Sequence, residues 1–277
     1  MGLSEISMTS KSAFIFDEDW ISRARGNTDQ ASWANEVIAT LDTAGGIYLA
    51  SLRLWFDGFP LSTKDKQRLA AGIESFRNQD HLGAVNELAW WAFLQRQQFI
   101  ANPIPTANTS TPDFQVVAPS EFFVEVSTLN ISEQDQTKFQ VGDSIELNHT
   151  ETVRRVLGKL TAEKLKQLSY GQKPSVLVLF DYTTWSAFGT EFYRFLADFL
   201  LGKQIGFRSL PVELSALVYV EKKVFNGHIA ISRLRSAAYY NPFAKYPLPI
   251  GTFTSLNQFW CQMVKTESVS SDDWLWL

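Results

Sequence analysis

Two carboxylates lie in a predicted β-hairpin at a spacing that could place both at one site. Asp113 opens the first apolar run of TPDFQVVAPSEFFVEVSTL (111–129), and Glu125 lies inside the second run, between two valines. With a three-residue loop at 118–120, Asp113 lies opposite Glu125, with Cβ atoms about 4.5–5.5 Å apart. A two-residue turn would instead put the two side chains on opposite faces of the sheet.

A pair of facing carboxylates indicates a cation between them. Like charges directly across a strand pair are destabilising, so a positive group should compensate for Asp113 and Glu125. A hard divalent ion is the natural candidate, because Mg²⁺ typically takes one or two carboxylates and keeps several waters. The alternative is that both side chains lie at solvent-facing strand positions, and the hairpin alone leaves both interpretations open.

The elements that must position this hairpin are predicted to form a mixed α/β fold, with helices packed on a sheet. Segment 174–180, PSVLVLF, is a continuous apolar run that suits a central strand buried on both faces. Residues 215–235 are predicted to form two strands joined at Asn226-Gly227, a hairpin signal. The apolar segment 46–60 could be a strand or a buried helix. Helices are predicted over residues 28–45, 62–79, 81–99, 148–171 and 189–204.

The chain of 277 residues is 45% hydrophobic, which is a globular composition with enough apolar residues for a sizeable core. Its length suggests one domain with additions or two small domains. We expect a helical lead-in over 1–78 with a variable start at 1–24, a core over 79–236, and an aromatic C-terminal extension over 237–277 packed on the core. Trp274 and Trp276 alternate at strand spacing, and could dock on the body of the chain or on another subunit, which leaves a homodimer open.

Composition argues against several classes of protein. No window of about 18 consecutive apolar residues occurs, and no basic region precedes an apolar run at the start, so neither a membrane span nor a signal peptide is expected. Cys261 is the only cysteine, which excludes a disulfide framework and predicts a reducing, cytoplasmic location. The histidines lie in no metal-ligand motif, and no phosphate-binding loop or nucleophile elbow occurs. A net charge of −4 argues against a generally basic surface but allows a local basic groove.

The hairpin also resembles a known motif. Pro112-Asp113, then a strand, a turn and Glu125-Val126-Ser127, is similar to the pattern of the PD-(D/E)XK nuclease superfamily. In that pattern an aspartate opens one strand and Glu-x-Lys lies on the next. The resemblance implies a restriction-endonuclease-like core, with a central mixed β-sheet flanked by helices.

Three further features extend the resemblance to about residues 81–182. The family often places a glutamate on a helix before the first strand, and Glu87 in AVNELAWWAF matches. The family has Lys-x-x-Gln on the helix after the Glu-x-Lys strand, and Lys164 and Gln167 in KLTAEKLKQL match. A buried strand then follows, and 174–180 matches.

Ser127 departs from the family pattern, because it stands where the family has its lysine. That lysine is thought to position or activate the attacking water and to stabilise charge, and a serine cannot supply a cation. Either the protein is an inactive relative or the lysine has moved to the following helix, as in some members. Lys164 would be the replacement, since it shares a helix face with Gln167, whereas Lys166 points about 200° away, toward solvent. Lys159 is also on this helix, and the alternative for Lys164 is a solvated surface lysine.

The resemblance implies a divalent cofactor, Mg²⁺ or Mn²⁺, bound by Asp113 and Glu125. The carbonyl of Val126 would be a third oxygen ligand, and Glu87 would be an outer or second-metal ligand. The alternative for Glu87 is an ordinary position on the helix surface, without a ligand role. Gln167 would orient a water or a phosphate. A metal aided by a lysine ammonium could activate a water and stabilise charge during phosphodiester hydrolysis.

The expected partner is nucleic acid, with DNA as the expected form. Arg154, Arg155 and Lys159 on the predicted helix 148–171 could contact phosphates, although helix surfaces of this kind are often simply solvated. Two rival functions stay open. The chain could be a catalytically inactive nuclease fold that acts as a nucleic-acid-binding or assembly module, or a structural α/β protein that matches the pattern by chance.

Overall fold

The computed structural model of the protein describes residues 14–29, 32–105, 110–132, 135, 138, 148–182, 192–201, 206–260, 262–264 and 274–277. Cys261, the first part of the lead-in and the start of the helix predicted at 189–204 lie outside the described residues. Within those ranges, no helix is long and apolar enough to cross a membrane.

Five helices lie ahead of the first strand in the described part of the chain. They are α1 (Glu18–Arg25), α2 (Trp33–Ala39), α3 (Ala44–Gly58), α4 (Thr63–Ile73) and α5 (Asn78–Arg96). The side chains of Asp17, Ser32 and Ser62 accept backbone N–H groups in the first turns of α1, α2 and α4. These side chains satisfy donors that a helix start leaves unpaired, which fixes where each helix begins.

The apolar segment 46–60 lies almost entirely in α3 and is therefore a helix rather than a strand. Its buried side chains recur at the spacing of one helix face: Tyr48, Leu49, Leu52, Trp55 and Phe56. A helix was favoured because this face packs against α2, α5 and the small sheet described below, so that one apolar stripe is buried.

The main sheet is mixed, which confirms the predicted fold class of α/β. The strands in chain order are β1 (Ile100–Pro103), β2 (Phe114–Ala118), β3 (Phe122–Leu129), β4 (Ser175–Asp181), β5 (Ala216–Val220), β6 (Lys222–Phe225), β7 (His228–Ser232), β8 (Ala237–Tyr240), β9 (Asn257–Trp260), β10 (Gln262–Val264) and β11 (Trp274–Trp276). Eight of these described strands form the sheet β1-β2-β3-β4-β5-β8-β9-β10. Strands β3, β4 and β5 are parallel, and β4 is buried along its whole length, as its apolar run predicts.

A second sheet, β11-β7-β6, corrects one prediction and extends another. The hairpin at Asn226-Gly227 is present, with φ of 49° and 82°, the positive values that such two-residue turns require. The run before it, however, is divided at Glu221 between two strands in different sheets, so residues 215–235 form three strands rather than two. At the division Glu221 is fully buried, its N–H donates to the hydroxyl of Ser236 over 3.0 Å, and its Oε1 lies 3.2 Å from Nε of Arg235. Strand β11 pairs with β7, so the tryptophan-rich tail docks on the body of the chain.

The sheet is covered on both faces. One hydrophobic cluster joins the N-terminal helices to one face of the sheet and includes Phe16, Trp20, Trp90, Val124 and Phe253. The other cluster packs the second face against α6 (His149–Gly158) and α8 (Phe192–Leu201). The described part of the lead-in and the C-terminal extension are therefore built into the same core as the hairpin.

The helix predicted at 148–171 is interrupted rather than continuous. After α6, residues Lys159–Glu163 form a π-helical turn, and α7 (Leu165–Leu168) follows. The N–H of Lys164 donates to the carbonyl of Lys159 over 2.8 Å, which is the five-residue spacing of a π-turn. The extra residue changes the direction of the side chains that follow. Such turns are frequent at functional sites.

A buried histidine in α5 has both ring nitrogens hydrogen-bonded. His81 stacks on Trp33 with ring centroids 3.4 Å apart. Its Nδ1 donates to the carbonyl of Ile73 over 2.6 Å, and its Nε2 accepts from the hydroxyl of Tyr48 over 2.8 Å. The neutral ring satisfies both bonds, and burial lowers the pKa of His81 to about 3.

We expect His81 to lower the stability of the fold as the pH falls. Below the ordinary pKa of 6.5 the unfolded chain binds a proton at this ring, and the folded chain does not bind one until about pH 3. The free energy of unfolding should fall by at most about 1.4 kcal/mol per pH unit from this group, with no contribution above about pH 7. Denaturant unfolding of the wild type and His81→Gln at pH 7 and pH 5 should show a stability gap that shrinks at pH 5. If the stability difference between the two proteins is equal at both pH values, His81 is not the source of the pH dependence.

Candidate active site

A cleft of about 560 Å³ lies beside α4, α5 and the end of the β2–β3 hairpin that is far from its turn. Four of the residues predicted for the site line it: Glu87, Asp113, Glu125 and Gln167. They come from α5, the position before β2, β3 and α7, respectively. The fold thus brings together four side chains that are distant in the sequence.

Asp113 and Glu125 lie side by side on one face of the hairpin, in the register that a three-residue loop predicts. Phe114 pairs with Val124, and the N–H of Asp113 donates to the carbonyl of Val124 over 2.9 Å. The same register puts Asp113 opposite Glu125. Oδ2 of Asp113 accepts the N–H of Val126 over 2.7 Å, and this bond fixes the carboxylate beside the second strand.

The ammonium group of Lys164 contacts the second hairpin carboxylate. Its Nζ lies 2.5 Å from Oε1 of Glu125, whose side chain is 5% exposed against 22% for Lys164. Lys164 is positioned by the π-helical turn that ends at Glu163. It is therefore a partly buried ion-pair partner of the site rather than a solvated helix-surface lysine, and charge-assisted contacts of this kind are among the stronger ones.

Two buried oxygens at the cleft have no hydrogen-bond partner among the described residues. They are Oε2 of Glu125 and Oε1 of Gln167. Most buried polar atoms in proteins are hydrogen-bonded, so unpaired oxygens need an explanation. Oxygens of a carboxylate and an amide are the donors that hard cations prefer, and both oxygens are also able to accept from a water or a ligand.

Among the described residues, Pro112 of the motif also lines the cleft, whereas Val126, Ser127 and Lys166 do not. Ser127 is half-buried on β3, in register with Leu179 of β4. Lys166 is exposed on α7, which agrees with the direction predicted from helical spacing. The N–H of Val126 binds Asp113, and the role of its carbonyl as a ligand stays a prediction.

Burial raises the pKa of three carboxyl groups at the site, and repulsion by neighbouring carboxylates adds to this for Glu87 and Glu125. Burial, then the charges of Asp113 and Glu125, raises the pKa of Glu87 to about 8. Burial and the charge of Asp113 raise the pKa of Glu125 to about 8, although Lys164 opposes the change. Burial raises the pKa of Asp113 to about 6, although its backbone hydrogen bond and the charge of Lys164 lower it. Adding a cation would favour the ionised form of all three groups.

Arg68 also lines the cleft, although neither its type nor its position in the sequence marks it as a site residue. Its guanidinium lowers the pKa of both Glu87 and Asp113. Helix α4 brings it there because Gly72 packs closely on α5, where a Cβ at Gly72 would lie 3.0 Å from the Cβ of Ala84. The sequence of α4 predicts a helix but does not show which helix it packs against.

The basic residues predicted to contact nucleic acid lie on α6 and the π-turn. Nη1 of Arg154 lies 3.5 Å from a carboxylate oxygen of Glu151, and Nζ of Lys159 lies 3.2 Å from Glu163. Arg155 is half-exposed. Acidic neighbours on the same helix thus compensate two of these charges, and phosphate contact stays a prediction.

The donor set of the cleft fits a hard divalent ion in type but is not a preformed metal centre. Among the described residues, no three His, Cys, Asp or Glu side chains are already arranged around one point that could hold an ion. Mg²⁺ commonly takes one or two carboxylates and completes its shell with waters. Asp113 and Glu125 therefore suffice in number, while Oε1 of Glu125 is engaged by Lys164.

The chain was compared with protein-family models, with curated proteins and with solved structures, and none of the three comparisons found a match. The resemblance to the PD-(D/E)XK superfamily therefore rests on the residues quoted for it.

Proposed function

We propose that the protein is a metal-dependent nuclease that hydrolyses phosphodiester bonds of nucleic acid, with DNA as the expected substrate. The observation that supports this most is the meeting of Glu87, Asp113, Glu125 and Gln167 at one cleft, with the ammonium of Lys164 on Glu125. A chance match to the sequence motif would not be expected to bring a helix glutamate, both hairpin carboxylates and the helix lysine together. The sequence motif alone does not require these side chains to meet, so their common position at the cleft is independent support for the proposal.

Asp113 and Glu125 would hold the divalent cation, with Glu87 in an outer position. Bound there, the ion would supply positive charge to the phosphoryl oxygens and lower the pKa of a water. The backbone N–H of Val126 keeps the Asp113 carboxylate oriented without consuming its second oxygen. The unpaired Oε2 of Glu125 supplies a further oxygen donor.

Lys164 would take the role of the lysine that Ser127 cannot fill. Its ammonium is on the same side of β3 as Glu125, and it could shift from that carboxylate to a phosphoryl oxygen when substrate enters. Gln167 lies one turn later, and its unpaired Oε1 would accept a hydrogen bond from a water.

A cleavage assay on double- and single-stranded DNA and RNA tests the proposal. Wild-type protein is incubated with each substrate in Mg²⁺, in Mn²⁺ and in EDTA, and products are resolved by gel electrophoresis. We expect cleavage of at least one DNA substrate in a metal ion and none in EDTA. Cleavage that persists in EDTA would contradict the metal requirement.

The second candidate is a nucleic-acid-binding module without catalysis. Ser127 in the motif and the contact between Lys164 and Glu125, which occupies one carboxylate oxygen, favour it. Binding of a substrate without cleavage in either metal would support this candidate over the first.

A further inference from the structure

The cleft is strongly acidic, and Arg68 is the one cationic residue among the described residues that line it. The acidic lining residues are Asp65, Asp80, Glu87, Asp113 and Glu125. A phosphodiester substrate is itself anionic, so such a surface would repel it unless positive charge is placed close by. Arg68 is therefore placed to offset the repulsion between the acidic cleft and an anionic substrate.

Two of these five carboxylates, those of Asp65 and Asp80, already contact hydroxyl or guanidinium groups near them in the sequence. Oδ2 of Asp65 accepts from the hydroxyl of Ser62 over 2.6 Å. Oδ2 of Asp80 accepts from the hydroxyl of Ser75 over 3.1 Å and lies 3.6 Å from Arg77. The carboxylates of Asp65 and Asp80 therefore already have hydrogen-bond or ion-pair partners close to them in the sequence.

Arg68 is not tied to any carboxylate in the described part of the molecule. None of the ion pairs within 4 Å found there includes it, and the residue is exposed. It lines the same cleft as Glu87 and Asp113. The guanidinium is thus at the cleft that the carboxylates line, is open to solvent, and makes no hydrogen bond to any residue that the structure describes.

We propose that Arg68 binds a phosphate group of the nucleic-acid substrate next to the carboxylates of the cleft. A guanidinium presents a planar fork of donors that matches phosphate oxygens in a bidentate geometry and stays charged at all working pH values. Helix α4, which belongs to the segment predicted as a lead-in, would then be part of the substrate site. This inference rests on the proposed function.

A phosphate contact of this kind positions the substrate but carries no base information. Loss of Arg68 should therefore weaken binding of every oligonucleotide to a similar extent. It should also reduce the number of ions released on binding, which sets the salt dependence of the affinity.

The test compares Arg68→Gln, Arg68→Lys and Lys66→Gln with the wild type. Lys66 is the matched control, because it lies on α4 about 200° from Arg68, is outside the cleft lining, and its loss removes the same charge. Binding of labelled oligonucleotides is followed by fluorescence anisotropy in Ca²⁺ over a range of salt concentrations, with intact substrate verified on gels. Cleavage of the same oligonucleotides in Mg²⁺ is measured in parallel, and thermal melting checks the fold.

We expect Arg68→Gln to raise Kd about tenfold. The fall of log affinity with log salt should become less steep, with the magnitude of the slope smaller by about 0.7–0.9. Arg68→Lys should restore part of the affinity, and Lys66→Gln should leave both quantities unchanged. If the wild type binds and cleaves while Arg68→Gln keeps its affinity and salt slope, the phosphate role is wrong and the nuclease stands. Arg68-dependent binding without any cleavage would support the phosphate role and refute hydrolysis. A wild type that binds no oligonucleotide overturns both.

Discussion

Replacement of Asp113 by asparagine should abolish metal-dependent cleavage and leave the fold intact. Asparagine keeps a side-chain oxygen that can accept the N–H of Val126, so the local hydrogen bond survives. The substitution removes the negative charge that would hold the cation beside Glu125. Since a bound ion contributes several kcal/mol of charge stabilisation in the transition state, we expect kcat/KM to fall at least about 100-fold.

The measurement pairs initial cleavage rates with calorimetric titration of Mn²⁺ and thermal melting. Asp42→Asn is the control, because Asp42 is exposed in the turn before α3 and outside the cleft lining. It loses the same charge from the molecule and should cleave at the wild-type rate. If Asp113→Asn binds Mn²⁺ and cleaves as the wild type does, Asp113 is not a ligand, and the hairpin pair has only a structural role.

Replacement of Lys164 by glutamine should separate catalysis from metal binding. The ammonium contacts Glu125 in the free protein, but the proposed role is stabilisation of phosphoryl charge during the reaction. We expect the cleavage rate to fall by about 100- to 1,000-fold, while the affinity for Mn²⁺ changes by a few-fold at most. Lys164→Arg should retain part of the activity because it keeps the charge.

Lys166→Gln is the matched control for Lys164. Lys166 is exposed on α7, the short helix that begins directly after Lys164, so its loss should not change the rate. A parallel fall of cleavage and metal affinity in Lys164→Gln would show that the lysine serves only to hold Glu125 in place. If Lys164→Gln cleaves at the wild-type rate, Lys164 is not the catalytic lysine.

The N-terminal helices contribute more to the site than their sequence indicates. Glu87 comes from α5 and Arg68 from α4, and the close packing of Gly72 on α5 joins the two helices at the cleft. Separation of this segment from the rest of the chain would also expose Trp20 and Phe16, which are buried in the cluster that includes the hairpin valine Val124. The site and the core therefore depend on the same helix packing.

Local pattern determined the elements that need only near neighbours in the sequence. Alternation with a three-residue loop predicted Asp113 beside Glu125, whereas a two-residue turn predicted opposite faces, and the observed register is that of the three-residue loop. The apolar run of β4 predicted a central strand, and Asn226-Gly227 predicted a two-residue turn. In each case the physical cause lies within a few residues of the element it explains.

Tertiary structure decided the features that depend on distant packing. The segment 46–60 became a helix because its apolar face packs against other helices and the small sheet. At Glu221 the strand ends where its N–H donates to the distant hydroxyl of Ser236. The π-turn before Lys164 and the approach of α4 that delivers Arg68 also follow from how helices fit on the sheet. The sequence by itself therefore predicted the two carboxylates and offered Lys164 as their cation, with the turn length left open. The folded chain decided the register of the hairpin, and the packing of helices on the sheet decided that Lys164 and Arg68 both reach the carboxylates.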